Sequence, residues 1–203
     1  MRLRLRLSPG MVIDGFELQE HLGTGGMAQL WAVSRAGDPT PLVMKVPLLI
    51  DSDDPLPIVS FETEQMIMPR LTGPHVPRFV ATGGLEAQPY IVMERIPGAS
   101  LKARLPEVPL PWREVAGIGV KVANALHDLH LQHVIHLDVK PSNIMFRETG
   151  EAVLIDFGFS RHEQLPDLLD EEFREPFGTT PSWLRSRSCR TGATRAATSS
   201  RWG

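Results

Sequence analysis

The hydrophobic pattern changes period once along this chain, near Pro97-Gly98, and that change constrains the fold more than any other feature. Upstream, apolar residues alternate with polar ones and are cut by turn signals. Phe16, Leu18 and the run to Leu22 predict a strand, Gly23 to Gly26 a glycine turn, and Leu30 to Ser34 a second strand. Ala36-Gly37-Asp38-Pro39 predicts a turn before a third strand, Leu42 to Val46. A short helix is expected over 60–71, weakened by Pro69 and stopped by Gly73-Pro74, with further strands at Phe79 to Thr82 and Tyr90 to Glu94. Downstream, Val115, Ile118, Val122, Leu126 and Leu129 recur at three and four, the signature of one apolar helix face. A loop, a short strand at Ala152 to Ile155 and irregular acidic sequence to Gly178 follow. The pattern predicts an α+β chain of two lobes, β-rich first and helical second.

Composition narrows the functional classes. A net charge of -3 offers no basic footprint for nucleic acid. No apolar run reaches membrane-spanning length, and the Arg/Leu alternation of residues 1–7 is not a signal peptide, so a cytoplasmic location is expected. The single cysteine, Cys189, excludes an intrachain disulfide. Lysine is scarce, with Lys45, Lys102, Lys121 and Lys140 against seventeen arginines. An isolated lysine in such a chain is therefore a candidate for a role that arginine cannot fill.

Two of these lysines sit in segments that carry chemistry. His136-Leu137-Asp138-Val139-Lys140-Pro141-Ser142-Asn143 is followed, thirteen residues after Asn143, by Asp156-Phe157-Gly158. Two carboxylates, an ammonium and an amide on neighbouring loops form a set suited to phosphoryl transfer, which needs phosphate charge neutralised and an acceptor hydroxyl positioned. Leu22-Gly23-Thr24-Gly25-Gly26-Met27-Ala28 is a weaker signal. Small residues let backbone amides approach phosphates, but a dinucleotide fold would need a helix next, and here a strand follows. Lys45 stands 22 residues after Gly23, and Phe61-Glu62-Thr63-Glu64 offers two carboxylates as its partner.

In this combination the sequence resembles the bacterial eukaryotic-like Ser/Thr protein kinases, over about residues 12–181. The resemblance implies a bilobal kinase fold: an N-terminal extension at 1–11, an N-lobe at 12–93, a hinge at 94–98 and a partial C-lobe at 99–181. It implies ATP and Mg²⁺ as cofactors and Ser/Thr of a protein as substrate. Asp138 would be the catalytic base and Lys140 would neutralise the transferring phosphate, with Asn143 and Asp156 as metal ligands. Lys45 would contact the α- and β-phosphates, paired with Glu64, which fits the family's Phe-x-x-Glu spacing; Glu62 is expected to be exposed. Gly23, Gly25 and Ala28 would form the phosphate lid. Met93 would be the gatekeeper, and Glu94 to Ile96 would bind the adenine edge. Leu22, Leu30, Val43 and Met145 would sandwich the purine, although an edge strand entering a turn would use the same hinge residues. His136, Phe157 and Met68 are expected to stack in the core. The evenly spaced His127, His130, His133 and His136 read as packing residues, not a metal site.

Three departures accompany the resemblance. Leu137 replaces the arginine that meets an activation-loop phosphate, which implies that such phosphorylation is not the switch. Acidic residues Asp167, Asp170, Glu171, Glu172 and Glu175 could hold that loop or form a solvated one. Gly178-Thr179-Thr180-Pro181 matches the family's Gly-Thr-Pro segment, but the Ala-Pro-Glu that should follow is missing. From Ser182 the composition shifts to five Arg and eight Ser/Thr in 22 residues, with no acid. Read one frame over, Trp183 to Gly203 can encode MAPEQVLQDRSDPRSDLFALG, which contains Ala-Pro-Glu. A frameshift after about residue 182, truncating the helical lobe, is therefore expected, and the alternative to an enzyme is an inactive nucleotide-binding or scaffold fragment. Resequencing the coding DNA across Pro181 to Gly203 should reveal an inserted or missing base; an intact frame would make 182–203 a genuine tail.

Overall fold

The computed structural model describes residues 7–48, 55–84, 88–107 and 109–172. Six strands form one antiparallel sheet in the order β1-β2-β3-β4-β6-β5: β1 Val12–Ile13, β2 Phe16–Thr24, β3 Ala28–Arg35, β4 Asp38–Pro47, β5 Phe79–Gly83 and β6 Tyr90–Glu94. Period-two alternation gives this sheet two distinct faces. Leu18, Trp31, Val33, Leu42, Met44, Val46, Tyr90 and Val92 bury one core. On the opposite side, Leu30 lies across from Lys45, and Val43 across from Met93. That second face meets the rest of the molecule. Residues 7–11 extend the edge, with the Gly10 amide donating to the Leu18 carbonyl at 2.7 Å.

β4 starts at Asp38, earlier than the expected Leu42. The chain reverses at Ala36-Gly37, where Gly37 takes φ +80°, so Asp38 already lies opposite Arg35. Neither neighbouring strand is in register with residues 39–41. Pro39 and Pro41 therefore deprive the ladder of no hydrogen bond there.

Helix α1, Leu56–Ile67, begins four residues before the expected start and gives way to a 3-10 turn at Met68–Arg70. Pro57 is tolerated because it falls in the first turn, where amides lack intrahelical partners, and Pro69 falls in the 3-10 turn beyond the helix. α1 buries Val59, Ser60, Phe61, Thr63, Glu64 and Ile67. Thr63 returns its hydroxyl to the Val59 carbonyl at 2.8 Å.

Helix α2, Trp112–Leu131, leads into β7 Val134–Ile135, a loop, β8 Ile144–Phe146, β9 Ala152–Leu154 and β10 Arg161–His162. β8 pairs with β9, and β7 with β10. Only the C-terminal half of α2 packs against β7 and β9, burying Ala125 and Leu129 fully and Val122 and Leu126 in part. Val115, expected on the buried face, is 52% exposed, and Trp112 and Val120 are open as well. The acidic stretch after β10 is not wholly irregular: Leu168–Glu172 forms a short helix, α3, against α1. Gly178 to Pro181, Glu175, the Glu171 side chain and the tail from Ser182 lie outside the described residues.

The main core runs through both lobes. Phe61, Ile67, Met68, Ile91 and Met93 from the first pack with Ala125, Leu129, Ile144, Leu154 and Phe157 from the second. A satellite of Val59, Phe159 and Leu169 draws in Met27 from the glycine turn. Among the described residues, no helix is long and apolar enough to cross a membrane. Leu129→Ala should cost about 2–5 kcal/mol of stability, the usual range for a fully buried leucine. Val115→Ala should cost under about 0.5 kcal/mol. Urea denaturation of both variants checks this asymmetry along one helix.

Candidate active site

Lys45 is the junction of the site. Its position on β4 turns it to the inter-lobe face, where Nζ donates to Glu64 Oε2 on α1 and, at 2.8 Å, to Asp156 Oδ1 in the segment after β9. Glu64 is 1% exposed, and its Oε1 also accepts from the Phe157 amide at 3.4 Å. Glu62, expected to be exposed, is half-buried, but Glu64 is the carboxylate that reaches the lysine. Burial opposes the charge on Lys45, yet Asp156 and Glu64 outweigh it and raise its pKa. The Lys45 ammonium holds Asp156 below the usual carboxylate range. Burial pushes Glu64 up, with Lys45 opposing. The lysine is thus held charged at neutral pH.

The second cluster lies in the loop between β7 and β8. Asp138 is 1% exposed, and its Oδ2 accepts from Lys140 Nζ at 2.7 Å and from Asn143 Nδ2 at 3.1 Å. The same amide nitrogen donates to the Asp138 carbonyl at 3.0 Å. The Asn143 Oδ1 accepts from Ser142 Oγ at 3.2 Å. The Ile155 amide donates to the Asn143 carbonyl at 3.0 Å, joining this loop to the residue preceding Asp156. His136 fixes the loop from beneath: Nε2 donates to the Ile155 carbonyl at 3.1 Å and Nδ1 accepts from the Asp138 amide at 3.3 Å. Burial lowers its pKa and keeps the imidazole neutral, as that bonding pattern requires. Its ring packs on Phe157 at 5.1 Å between centroids, and Met68 is fully buried in the same core.

Backbone geometry supports both clusters. Leu137 (φ +58°) and Asp156 (φ +68°) adopt left-handed conformations that cost a non-glycine residue roughly 1–3 kcal/mol. Gly158 approaches α1 so closely that a Cβ would lie 2.2 Å from Ser60 Oγ. The glycine turn is closed by the Gly25 amide on the Ala28 carbonyl at 2.8 Å, and the Met27 carbonyl accepts from Leu48 at 2.8 Å. Gly23 begins this turn opposite Leu30. Leu30, Val43 and Lys45 share one sheet face beside Met93. Leu22 and Leu30 are partly exposed, Val43 and Met145 half-buried, and Met93 and Ile96 buried. At the end of β6 the Glu94 amide donates to the Arg78 carbonyl and the Arg95 amide to the Pro41 carbonyl, both at 2.9 Å.

The four histidines separate in space. His127 and His130 are exposed on α2, His133 pairs with Glu163 at 2.9 Å, and His136 is buried on Phe157. Two residues went unnoticed in the sequence. Ser60, where Gly158 closes, carries no signal of its own. Arg147, whose guanidinium reaches Glu94, could have been suspected from its place two residues after Met145.

Lys45→Met leaves two carboxylates facing each other without a cation and should cost about 3–5 kcal/mol at pH 7. Without Lys45 the folded-state pKa of Glu64 stays raised, so the folded form binds the extra proton. The variant should therefore gain stability more steeply than the native chain as pH falls from 7 towards 5, because in the native chain Lys45 opposes the rise of Glu64, and the depressed Asp156 loses stability only below the ordinary carboxylate range. Denaturant titrations at the two pH values check the difference in slope.

The protein kinase domain model matches residues 16–193. The chain is 36% identical over 151 residues to the serine/threonine-protein kinase PknK of Mycobacterium tuberculosis, covering 72% of this chain and 13% of that protein. It is 32% identical over 157 residues to the probable serine/threonine-protein kinase PknB of Corynebacterium glutamicum, covering 74% of this chain and 24% of that one. It therefore spans under a quarter of the length of these curated relatives. The crystal structure of the Mycobacterium tuberculosis PknI kinase domain superposes with a TM-score of 0.62 at 28% identity, over 75% of this chain and 63% of that one. With the fold, the two charged clusters and the matched span in agreement, the chain belongs to the protein kinase domain family.

Proposed function

We propose that this chain is a protein serine/threonine kinase that transfers the γ-phosphoryl group of ATP to a Ser or Thr hydroxyl on a protein. The observation that carries the reading is the buried Asp138 carboxylate, held between Lys140 and Asn143 and joined through Asn143 and Ile155 to the Lys45–Glu64–Asp156 cluster. Phosphoryl transfer depends on positioning and charge compensation, and this arrangement offers both. The proposed division is an N-lobe at 12–93, a hinge at 94–98 and a C-lobe beginning at 99.

In the proposed reaction Asp138 orients the acceptor hydroxyl and takes its proton as the oxygen bonds to the γ-phosphorus. The bond from that phosphorus to the β-phosphate oxygen breaks, and the electron pair leaves with ADP. Lys140, beside Asp138, offsets charge on the moving phosphoryl group, while Lys45 holds the α- and β-phosphates. Gly23, Gly25 and Ala28 form the backbone lid over the phosphates. The purine lies between Leu22, Leu30 and Val43 above and Met145 below, bounded by Met93 and bonded along Glu94 to Ile96. Asn143 and Asp156 present hard oxygen donors on segments that the Ile155–Asn143 hydrogen bond holds together, a set that suits Mg²⁺. Mg²⁺ held there would neutralise phosphate charge. The proposed location is cytoplasmic, where ATP is at hand.

Asp138→Asn should reduce transfer to a Ser/Thr peptide by about 10²–10⁴-fold, the usual weight of a positioned base. It should leave Mg·ATP affinity within about threefold, since Asp138 does not hold the nucleotide. Radiolabel transfer and calorimetry check the two halves. A native chain stabilised thermally by Mg·ATP without phosphate transfer would identify the nucleotide-binding fragment instead.

A further inference from the structure

Arg147, one residue beyond β8, ties together three stretches that are distant in sequence. Its guanidinium grips both carboxylate oxygens of Glu94 at the end of β6, with Nη2 to Oε2 at 2.9 Å. Nε donates to the Pro74 carbonyl at 2.8 Å and Nη2 to the Val76 carbonyl at 3.1 Å. The Arg147 amide donates to the Glu151 carbonyl and its carbonyl accepts from Gly150, both at 2.9 Å, so the residue also closes the turn from β8 to β9. Glu94 is held from its other side by the Arg78 amide, which donates to Oε2 at 3.1 Å. Both side chains of the pair are 21% exposed, and its geometry is the two-pronged one that only arginine makes.

Loose surface ion pairs contribute little. This one differs because it spans the lobes at the one place where the adenine ring is read. Glu94 opens the hinge, and Met145, the floor of the purine slot, lies two residues before Arg147 on the same short hairpin. We propose that Arg147 is a positioning residue for the purine: by fastening Glu94 to the strand that carries Met145, it sets the spacing between hinge and floor, and so governs affinity for the adenine ring and not for the triphosphate or the transfer step. The inference rests on the kinase reading above and names a determinant of nucleotide recognition in it.

The test measures affinities of the full 203-residue chain for adenosine, Mg·ATP and Mg·tripolyphosphate by calorimetry, with KM and kcat for ATP alongside. Arg147→Ala should weaken adenosine and Mg·ATP about 5–30-fold and tripolyphosphate less than about twofold, raising KM while kcat holds. Arg147→Lys keeps the charge and the fold but loses the fork, and should retain about a 3–10-fold loss for adenosine. It serves as the readout if the alanine variant does not fold. Glu94→Gln should follow Arg147→Lys. The proposal is overturned if these variants lower the melting temperature yet bind adenosine within about twofold of the native chain. It is equally overturned if adenosine and tripolyphosphate weaken together, since both patterns describe a structural brace. Failure of the kinase reading is seen in the native chain itself, as no binding of Mg·ATP or adenosine, and removes the proposal with it.

Discussion

One ammonium between two carboxylates organises this molecule. Lys45 comes from the sheet, Glu64 from α1 and Asp156 from the segment after β9, so three separate elements are held by one charge. A carboxylate buried as deeply as Glu64 is costly when unpaired, so the arrangement requires that the sheet and α1 be seated together, with Asp156 adding its charge from the partly exposed side. The sheet face that carries Lys45 must therefore be the one turned towards α1. The opposite face, with Leu42, Met44 and Val46, is left for an ordinary apolar core.

The constraint propagates through the backbone. For Asp156 to reach Lys45, it takes a left-handed conformation, and Gly158 two residues later presses against Ser60 with no room for a side chain. Phe157 between them drops into the core on His136. His136 in turn accepts the Asp138 amide, and Asn143 grips the Asp138 carboxylate. A continuous chain of short-range contacts thus runs from the strand bearing Lys45 to the loop bearing Lys140. Local strain at Leu137 and Asp156 is held by dense hydrogen bonding around both. The two lobes share one core through Phe61, Met93, Leu129 and Phe157, and Arg147 adds a polar clasp beside it.

Strand alternation, turn residues and helix periodicity made most of the elements legible, because each reports on a local preference that the neighbouring residues decide. The errors fell at boundaries where tertiary packing overrules a local signal. The helix expected from residue 60 begins at Leu56, because Pro57 is harmless in a first turn. Asp38-Pro39 reads as a turn but lies in β4, where no partner strand needs the missing amide. The α2 stripe reads as one buried face, yet β7 and β9 cover only its C-terminal half.

For the site, residue identity and spacing determined the chemistry: an acid, an ammonium, an amide and a second acid within the stretch from Asp138 to Asp156, with Lys45 and Glu64 at their own intervals. These are short-range regularities, and a sequence records them directly. What only the tertiary structure decided is which groups share a charge and which backbone segments are clasped. Lys45 and Asp156 are 111 residues apart, and Arg147 and Glu94 are 53 apart. No local pattern encodes such contacts, because they exist only once the sheet face, α1 and the β8–β9 hairpin have packed on one core.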